Sequence, residues 1–184
     1  MKMASLLTHA IAAGALAQAG REEWLKSGKF WVAAVVCSML PDADVIGMRM
    51  GVPYGALCGH RGLTHSLLFA AIVAVIAAGA IGEKAVERWK AGVLLFCITA
   101  SHGVLDALTN GGLGIAFFSP FDVQRYFFPW RPVEVAPIGL RAFLTVRGAR
   151  VIWSEMVWLW GPLLAAGTAL RWRRKPKSSP PAAD

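Results

Sequence analysis

The sequence predicts an all-α protein: a polytopic membrane bundle of about four to five apolar helices with one long irregular loop. Two features of the 184 residues support this fold class. First, 56% are hydrophobic and only 16% are charged, against about 25% charged in ordinary soluble domains, and the mean hydropathy is +0.51. Second, five segments approach the roughly 20 mostly apolar residues that a membrane helix needs.

The five apolar segments are residues 3–20, 30–47, 63–82, 90–109 and 151–170. The third is the most uniformly apolar, whereas the first is interrupted by His9. The first segment ends in Ala-Gln-Ala-Gly, so a cleaved signal peptide is an alternative, although a polar residue at its centre argues against cleavage. Residues 110–150 mix Gly, Pro and aromatic side chains, which predicts a long loop.

The chain is predicted to form one membrane-embedded domain over residues 1–170 and a basic, disordered tail over 171–184. The net charge is +8, and the densest group of cations directly follows the last apolar segment. Such a placement is typical of the cytoplasmic flank of a membrane helix, so we expect a multi-pass protein with its tail in the cytoplasm. Binding to nucleic acid, which needs a basic stripe, is not expected.

Ionisable side chains interrupt the apolar segments at a few places. Such residues are costly in a membrane and indicate a functional site. When the five segments are threaded through a bilayer in order, all of these side chains reach the same membrane face. They are His9 in the first segment, Asp42 and Asp44 in the second, His60, Arg61 and His65 around the start of the third, and His102 and Asp106 in the fourth.

The spacing of these residues favours a metal or proton-handling site. His102 and Asp106 are four residues apart, which places both on one face of a helix. Imidazole and carboxylate together suit Zn, Mn, Fe or Mg. Taken singly, each residue could instead cap a helix or form an interhelical pair, worth about 1 kcal/mol. The convergence of all four histidines is what favours a site.

Glu155 lies a few residues inside the fifth segment and has two open interpretations. It either joins the site as an acid, a base or a supporting group, or it pairs with an arginine of the preceding loop. That loop also mixes aromatic residues with arginines. This composition suits either a surface lying on lipid headgroups or an anionic ligand.

At these residues the sequence resembles the YdjM-like family of LexA-regulated inner-membrane proteins, described as metal-dependent hydrolases. The family is distantly similar to zinc-dependent phospholipase C enzymes, which are helical proteins with a His/Asp metal cluster. The resemblance implies a bacterial inner membrane location and phosphoester hydrolysis. The matching pieces are Thr8-His9, Pro41-Asp42-Ala43-Asp44, His60-Arg61-Gly62-Leu63-Thr64-His65-Ser66, His102-Gly103-Val104-Leu105-Asp106, Phe118-Ser119-Pro120-Phe121, Arg147-Gly148 and Ser154-Glu155.

We therefore expect a metal-dependent hydrolase that acts on a lipid or lipid-linked phosphoester at the membrane interface. The bilayer is its expected partner, and the sequence leaves its oligomeric state open. Zinc is the first choice of divalent metal, with Mn, Fe and Mg as alternatives. The expected metal ligands are His9, Asp42, His65, His102 and Asp106. The expected catalytic residues are Asp44, His60, Arg61 and Glu155.

Two other functions remain open at this stage. A metal or proton transporter would use the same His/Asp cluster, but it predicts polar groups continuing to the opposite membrane face, where the segments carry few. A non-catalytic scaffold would recruit a cytoplasmic partner through the basic tail.

Overall fold

The computed structural model describes residues 2–18, 20, 22–81, 83–137 and 140–173. These residues are mainly helical, and one antiparallel pair of two-residue strands, β1 and β2, joins the N-terminus to the long loop. The strands and α-helices are β1 Lys2–Met3, α1 Leu6–Ala17, α2 Gly28–Met39, α3 Val45–Arg49, α4 Leu67–Gly79, α5 Ala85–Ala107, β2 Ala136–Pro137, α6 Leu140–Phe143, α7 Val146–Glu155 and α8 Gly161–Arg173. Short 3₁₀ helices cover Glu23–Lys26, Leu40–Asp44 and Leu63–His65, and a π-helical turn covers Met156–Trp160.

Serine residues begin three of the apolar helices. The side chains of Ser5, Ser27 and Ser66 accept hydrogen bonds from backbone N–H groups in the first turns of α1, α2 and α4. A serine in this position satisfies a donor that would otherwise be unpaired, which is worth about 1 kcal/mol. The helices therefore begin where the sequence changes from polar connectors to apolar runs.

The helix α5 lies at the centre of the bundle, with α1, α2 and α4 packed around it. Its Leu95 and Ile98 are fully buried against Phe30 of α2 and Ala74 of α4. Much of the remaining core is alanine, and small side chains of this kind let helix backbones approach closely in membranes. The close packing fixes the end of α5 that carries His102 and Asp106.

The number of membrane-crossing helices is smaller than the four to five expected. Among the described residues, only the stretches Gly28–Arg49 and Ala85–Ala107 are both long and apolar enough to cross a bilayer. The apolar helices α1 and α4 have 12 and 13 residues and rise about 18–20 Å, less than the roughly 30 Å hydrocarbon core. The polar Ser5 precedes α1, and the 3₁₀ turn Leu63–His65 precedes α4, so both helices are shorter than the apolar segments predicted from composition.

The predicted loop is ordered but shorter than expected, because α6 and α7 begin inside the range 110–150. The irregular part packs its own apolar side chains, including the fully buried Ile115 and Val133. Isolated backbone bridges pair Ile115 with Tyr126 and Thr109 with Val133. The loop thereby covers the end of α5. Most of the predicted basic tail, residues 174–184, lies outside the described residues.

Candidate metal centre

Four buried side chains with metal-binding atoms meet where α2 ends and α5 ends. One ligand atom from each lies within 4.8 Å of every other, and the four residues are Asp42, His65, His102 and Asp106. Asp42 comes from the 3₁₀ turn after α2, where Pro41 lies in the first turn and removes a backbone donor. His65 ends the 3₁₀ turn before α4. The sequence places all four residues in the site, and the structure brings them together.

The separations within this group match those around a bound cation. The distance from His102 Nε2 to Asp42 Oδ1 is 3.3 Å, and His65 Nε2 lies 3.6 Å from the same oxygen and 3.8 Å from Asp106 Oδ2. Two atoms that each lie 2.0–2.1 Å from a tetrahedral zinc ion are about 3.3 Å apart. The four side chains therefore fit a small divalent ion with little rearrangement.

Most of the same atoms have close contacts only with one another. The Nε2 atoms of His65 and His102 and both carboxylate oxygens of Asp42 are buried and form no hydrogen bond of normal geometry with the described residues. Asp106 Oδ2 is buried as well and has one cationic neighbour, Arg61 Nε at 3.0 Å. Buried polar atoms are nearly always satisfied by protein, water or an ion. This group of buried imidazole nitrogens and carboxylate oxygens therefore supports a cation site.

Neighbouring groups orient the imidazoles of His65 and His102 for metal binding. His102 Nδ1 lies 2.7 Å from the carbonyl oxygen of Ser38, so Nδ1 carries the proton and Nε2 presents its lone pair. His65 Nδ1 lies 3.3 Å from Asp44 Oδ2. Metal-binding histidines commonly donate their other nitrogen to a carbonyl or a carboxylate in this way.

Asp44 lies beside the four-residue group, and hydrogen bonds occupy both of its oxygens. Oδ1 is 2.7 Å from His60 Nδ1, while Oδ2 accepts from the hydroxyl of Thr64 at 2.7 Å and from the backbone N–H of Arg61 at 3.2 Å. The carboxylate thus fixes His60, whose Nε2 is buried and has no partner among the described residues. Asp44 and His60 form an oriented pair next to the group.

His9 packs against the metal group from α1. Its ring stacks on that of His102, with centroids 3.7 Å apart and planes inclined by 10°. Its Nε2 lies 4.0 Å from Asp106 Oδ1, and it does not belong to the group of mutually close ligand atoms. The structure therefore places His9 at the edge of the centre.

Arg61 is fully buried and holds Asp106. Its Nε is 3.0 Å from Asp106 Oδ2, and its terminal nitrogens donate to the carbonyl of Gly111 at 2.7 Å and to the hydroxyl of Thr109 at 3.0 Å. The residue has a φ of 63°, a conformation that a long side chain adopts only when its surroundings impose it. The guanidinium of this expected catalytic residue is engaged by the protein itself.

Glu155 contacts the start of α1 instead of the four-residue group. Its carboxylate accepts hydrogen bonds from the backbone N–H and the hydroxyl of Ser5, both at 2.6 Å. The adjacent N–H of Ala4 donates to Asp106 Oδ1 at 2.7 Å. The buried carboxylates of Glu155 and Asp106 therefore hold the N-terminal segment beside the centre. The connection from Glu155 to Asp106 runs through Ser5 and Ala4.

Sequence reasoning did not single out Tyr54 and Arg125, which support the His60 loop. The guanidinium of Arg125 donates to the backbone carbonyls of His60, Tyr54 and Ala56. Burial lowers the pKa of Arg125 and raises the pKa of Tyr54. An arginine bound only to carbonyl oxygens looks like any loop arginine in a sequence, so no signal could have revealed this role.

A bundle of apolar helices with buried histidines and aspartates gathered at one end defines a class of protein: a membrane protein with a candidate metal centre. The chain belongs to the YdjM inner membrane protein family, whose match covers residues 3–176. It is similar to the inner membrane protein YbcI of Escherichia coli (strain K12), with 41% identity over 149 residues. The aligned part is 78% of this chain and 83% of that protein. No solved structure matches the chain. The predicted family is thus confirmed, and the chain is a protein of the bacterial inner membrane.

Proposed function

We propose that the protein is a membrane-bound, metal-dependent hydrolase that cleaves a phosphoester at the bilayer surface. The observation that carries this proposal is the group of four buried ligand atoms within 4.8 Å of one another, lying beside the oriented Asp44–His60 pair. Asp42, His65, His102 and Asp106 would hold the ion, and His9 lies close enough to join after a small movement. A divalent ion in such a site supplies polarisation of the ester and activation of water. Zinc suits the donor set best.

The Asp44–His60 pair would handle the proton in this reaction. In hydrolysis a P–O bond to the water oxygen forms and that water loses a proton, while the P–O bond to the leaving oxygen breaks and the leaving oxygen takes up a proton. His60 Nε2 is free to exchange that proton, while Asp44 keeps Nδ1 protonated and stabilises the imidazolium form. Arg61 and Glu155 would act as positioning residues. Arg61 holds Asp106, and Glu155 holds the start of α1.

The two ends of the bundle support an orientation with the centre on the non-cytoplasmic side. Several cations lie at the end opposite the centre, where Lys29 begins α2 and Lys84 precedes α5. The C-terminal part of α8 returns to this end, because Gly167 lies beside Gln18. Cytoplasmic flanks are enriched in Lys and Arg. We therefore place the connectors and the basic tail in the cytoplasm of a multi-pass protein.

The test is metal analysis together with an esterase assay on detergent-purified protein. The protein is stripped with a chelator, reloaded with Zn, Mn or Mg, and assayed on bis(p-nitrophenyl) phosphate and on phospholipids in mixed micelles. We expect turnover that depends on the metal and that is lost in His65→Ala and His102→Ala. Cys97→Ala, which changes an exposed thiol away from the centre, should keep both metal and turnover.

A result without turnover would contradict the proposal. If the metal-loaded protein hydrolyses none of these esters but moves metal ions or protons across liposomes, the same cluster serves transport. If both histidine variants keep their full metal content, the assignment of the ligands is wrong.

A further inference from the structure

An apolar groove lies between α2 and α4, and the proposed chemistry does not use it. It has a volume of about 790 Å³, within the roughly 300–1,000 Å³ typical of ligand sites. Every residue lining it is apolar except Lys29 at one end. At the other end Leu40 lies two residues before Asp42, so the groove leads to the metal centre.

The groove runs along α2 from the end near the metal centre. From Leu40 back to Lys29 the chain covers eleven residues, about 16 Å of helical rise. An extended chain whose polar end lies at Asp42 could therefore contact apolar wall along most of this length.

The surroundings of the groove also select its occupant. Its walls include Val36 and Ile76, which are 52% and 71% exposed. In the bilayer interior no water is available to fill an open apolar groove, and an empty one loses dispersion contacts. Acyl chains are the apolar molecules present there at high concentration. Lys29, at the end far from the metal centre, is the only charged residue that lines the groove.

We propose that this groove seats one acyl chain of the substrate, which is a phospholipid of the bilayer, and so places its phosphate at the metal centre. The inference rests on the proposed function and narrows its substrate class from phosphoesters to membrane lipids. A second groove, between α4 and α5, is lined by Val75 and Val93 and has a volume of about 520 Å³. The lining residues nearest in sequence to the centre are Ala71 and Phe96, six positions from His65 and His102. This second groove therefore provides a control for a general effect of filling an apolar groove.

The experiment compares matched Val→Trp substitutions in the two grooves. Val36→Trp fills the first groove near the centre, Val32→Trp fills it farther away, and Val93→Trp fills the second groove. Each metal-loaded variant is assayed on phosphatidylglycerol with acyl chains of increasing length and on bis(p-nitrophenyl) phosphate, which has no acyl chain.

We expect Val36→Trp to lower kcat/KM for long-chain phosphatidylglycerol by about tenfold or more, because several methylene groups lose their apolar contacts. The rate on bis(p-nitrophenyl) phosphate should stay unchanged. Val32→Trp should reduce turnover of long chains only, and Val93→Trp should match the parent protein. If Val36→Trp and Val93→Trp hydrolyse long-chain lipid equally well, the groove proposal is overturned while the hydrolase proposal stands.

A binding measurement separates failure of the groove from failure of the hydrolase. Phosphatidylglycerol with a diazirine at the acyl terminus is photolysed in nanodiscs with the full-length protein, and labelled peptides are mapped by mass spectrometry. Label on α2 and α4 that Val36→Trp removes and Val93→Trp leaves supports the groove, even without turnover. Equal labelling of both grooves in all variants overturns it. Absence of turnover on every ester, with groove labelling intact, overturns only the hydrolase.

Discussion

The imidazole rings of His9 and His102 lie face to face, 3.7 Å apart, although the two residues are separated by 92 positions of helix, connector and loop. Two protonated imidazoles would repel each other at this separation, so the stack requires that at least one ring be neutral. Neutral imidazole is the form that binds a metal. The contact thus joins the first helix to the centre.

Replacing Asp42 by asparagine is expected to remove the metal. Asp42 Oδ1 is the carboxylate oxygen closest to the Nε2 atoms of both His65 and His102, and the neutral amide is a weaker ligand of the same shape. We expect metal affinity to fall by more than the roughly 10–100-fold loss that follows changes in supporting groups. The measurement is metal content after dialysis against graded free zinc. Asp122→Asn, an exposed carboxylate in the loop, is the matched control and should bind metal as the parent does.

Replacing His60 by glutamine should separate catalysis from metal binding. His60 lies outside the group of four but forms a second group of mutually close ligand atoms with Asp44 and His65. Its Nε2 is the free nitrogen of the Asp44–His60 pair. Loss of a proton-transfer group lowers turnover by about 10²–10⁴-fold. We expect this fall in kcat on bis(p-nitrophenyl) phosphate, with metal stoichiometry unchanged. A variant that loses its metal as completely as Asp42→Asn would show that His60 is a ligand instead.

Replacing Gly112 by alanine should disturb the centre through Arg61. Gly112 has a φ of +91°, and a Cβ there would lie 2.6 Å from Arg61 Nη1 and 2.8 Å from the Tyr54 hydroxyl. The backbone strain costs about 1–2 kcal/mol and the overpacking about 1–3 kcal/mol more. We expect a lower thermal unfolding midpoint and weaker metal binding, because Arg61 holds Asp106.

Gly51 offers the control for this substitution. Its φ is +96°, and a Cβ there would meet no atom within 4 Å. Gly51→Ala should therefore show only the strain and leave metal affinity as in the parent. Equal metal affinity in both variants would mean that the position of Arg61 does not matter to the centre.

Replacing Glu155 by alanine should destabilise the protein and loosen the N-terminal segment. The substitution leaves the backbone N–H and the hydroxyl of Ser5 buried without an acceptor, and each such loss costs about 1–3 kcal/mol. Thermal unfolding and hydrogen exchange at the start of α1 would measure the effect. Glu23→Ala, which removes an exposed ion pair with Lys26, should change stability by less than about 1 kcal/mol. A fall in kcat without any loss of stability would indicate a direct catalytic role for Glu155.

Of the five metal ligands that the sequence predicts, the structure brings four into one group and leaves His9 at its edge. The spacing of His102 and Asp106 on one helix, and the placement of Asp42 and His65 at the ends of apolar runs, are side-chain patterns that a sequence displays directly. The sequence predicted more membrane-crossing helices than the two candidates found among the described residues, because α1 and α4 are shorter than the apolar segments that contain them.

Hydrogen bonds between side chains and backbone atoms could not be predicted from the sequence. The N–H of Ala4 on Asp106 and the carbonyls beneath Arg125 involve atoms that every residue has, so no residue type marks them. The role of Glu155 depends on the same kind of contact. Its side chain was noticed because a carboxylate is unusual in an apolar run, yet its partner Ser5 lies 150 positions away.

The hydrogen bond from Ala4 to Asp106 also couples ion binding at the centre to the docking of the N-terminal segment. An ion that binds only when Asp106 is in place stabilises the arrangement in which the first residues are docked, and docking in turn strengthens ion binding by the same factor. With the proposed metal at the centre, the order of the amino-terminal segment would depend on how much metal the cell supplies. In a metal-starved cell this segment would undock more often and be more accessible to proteases.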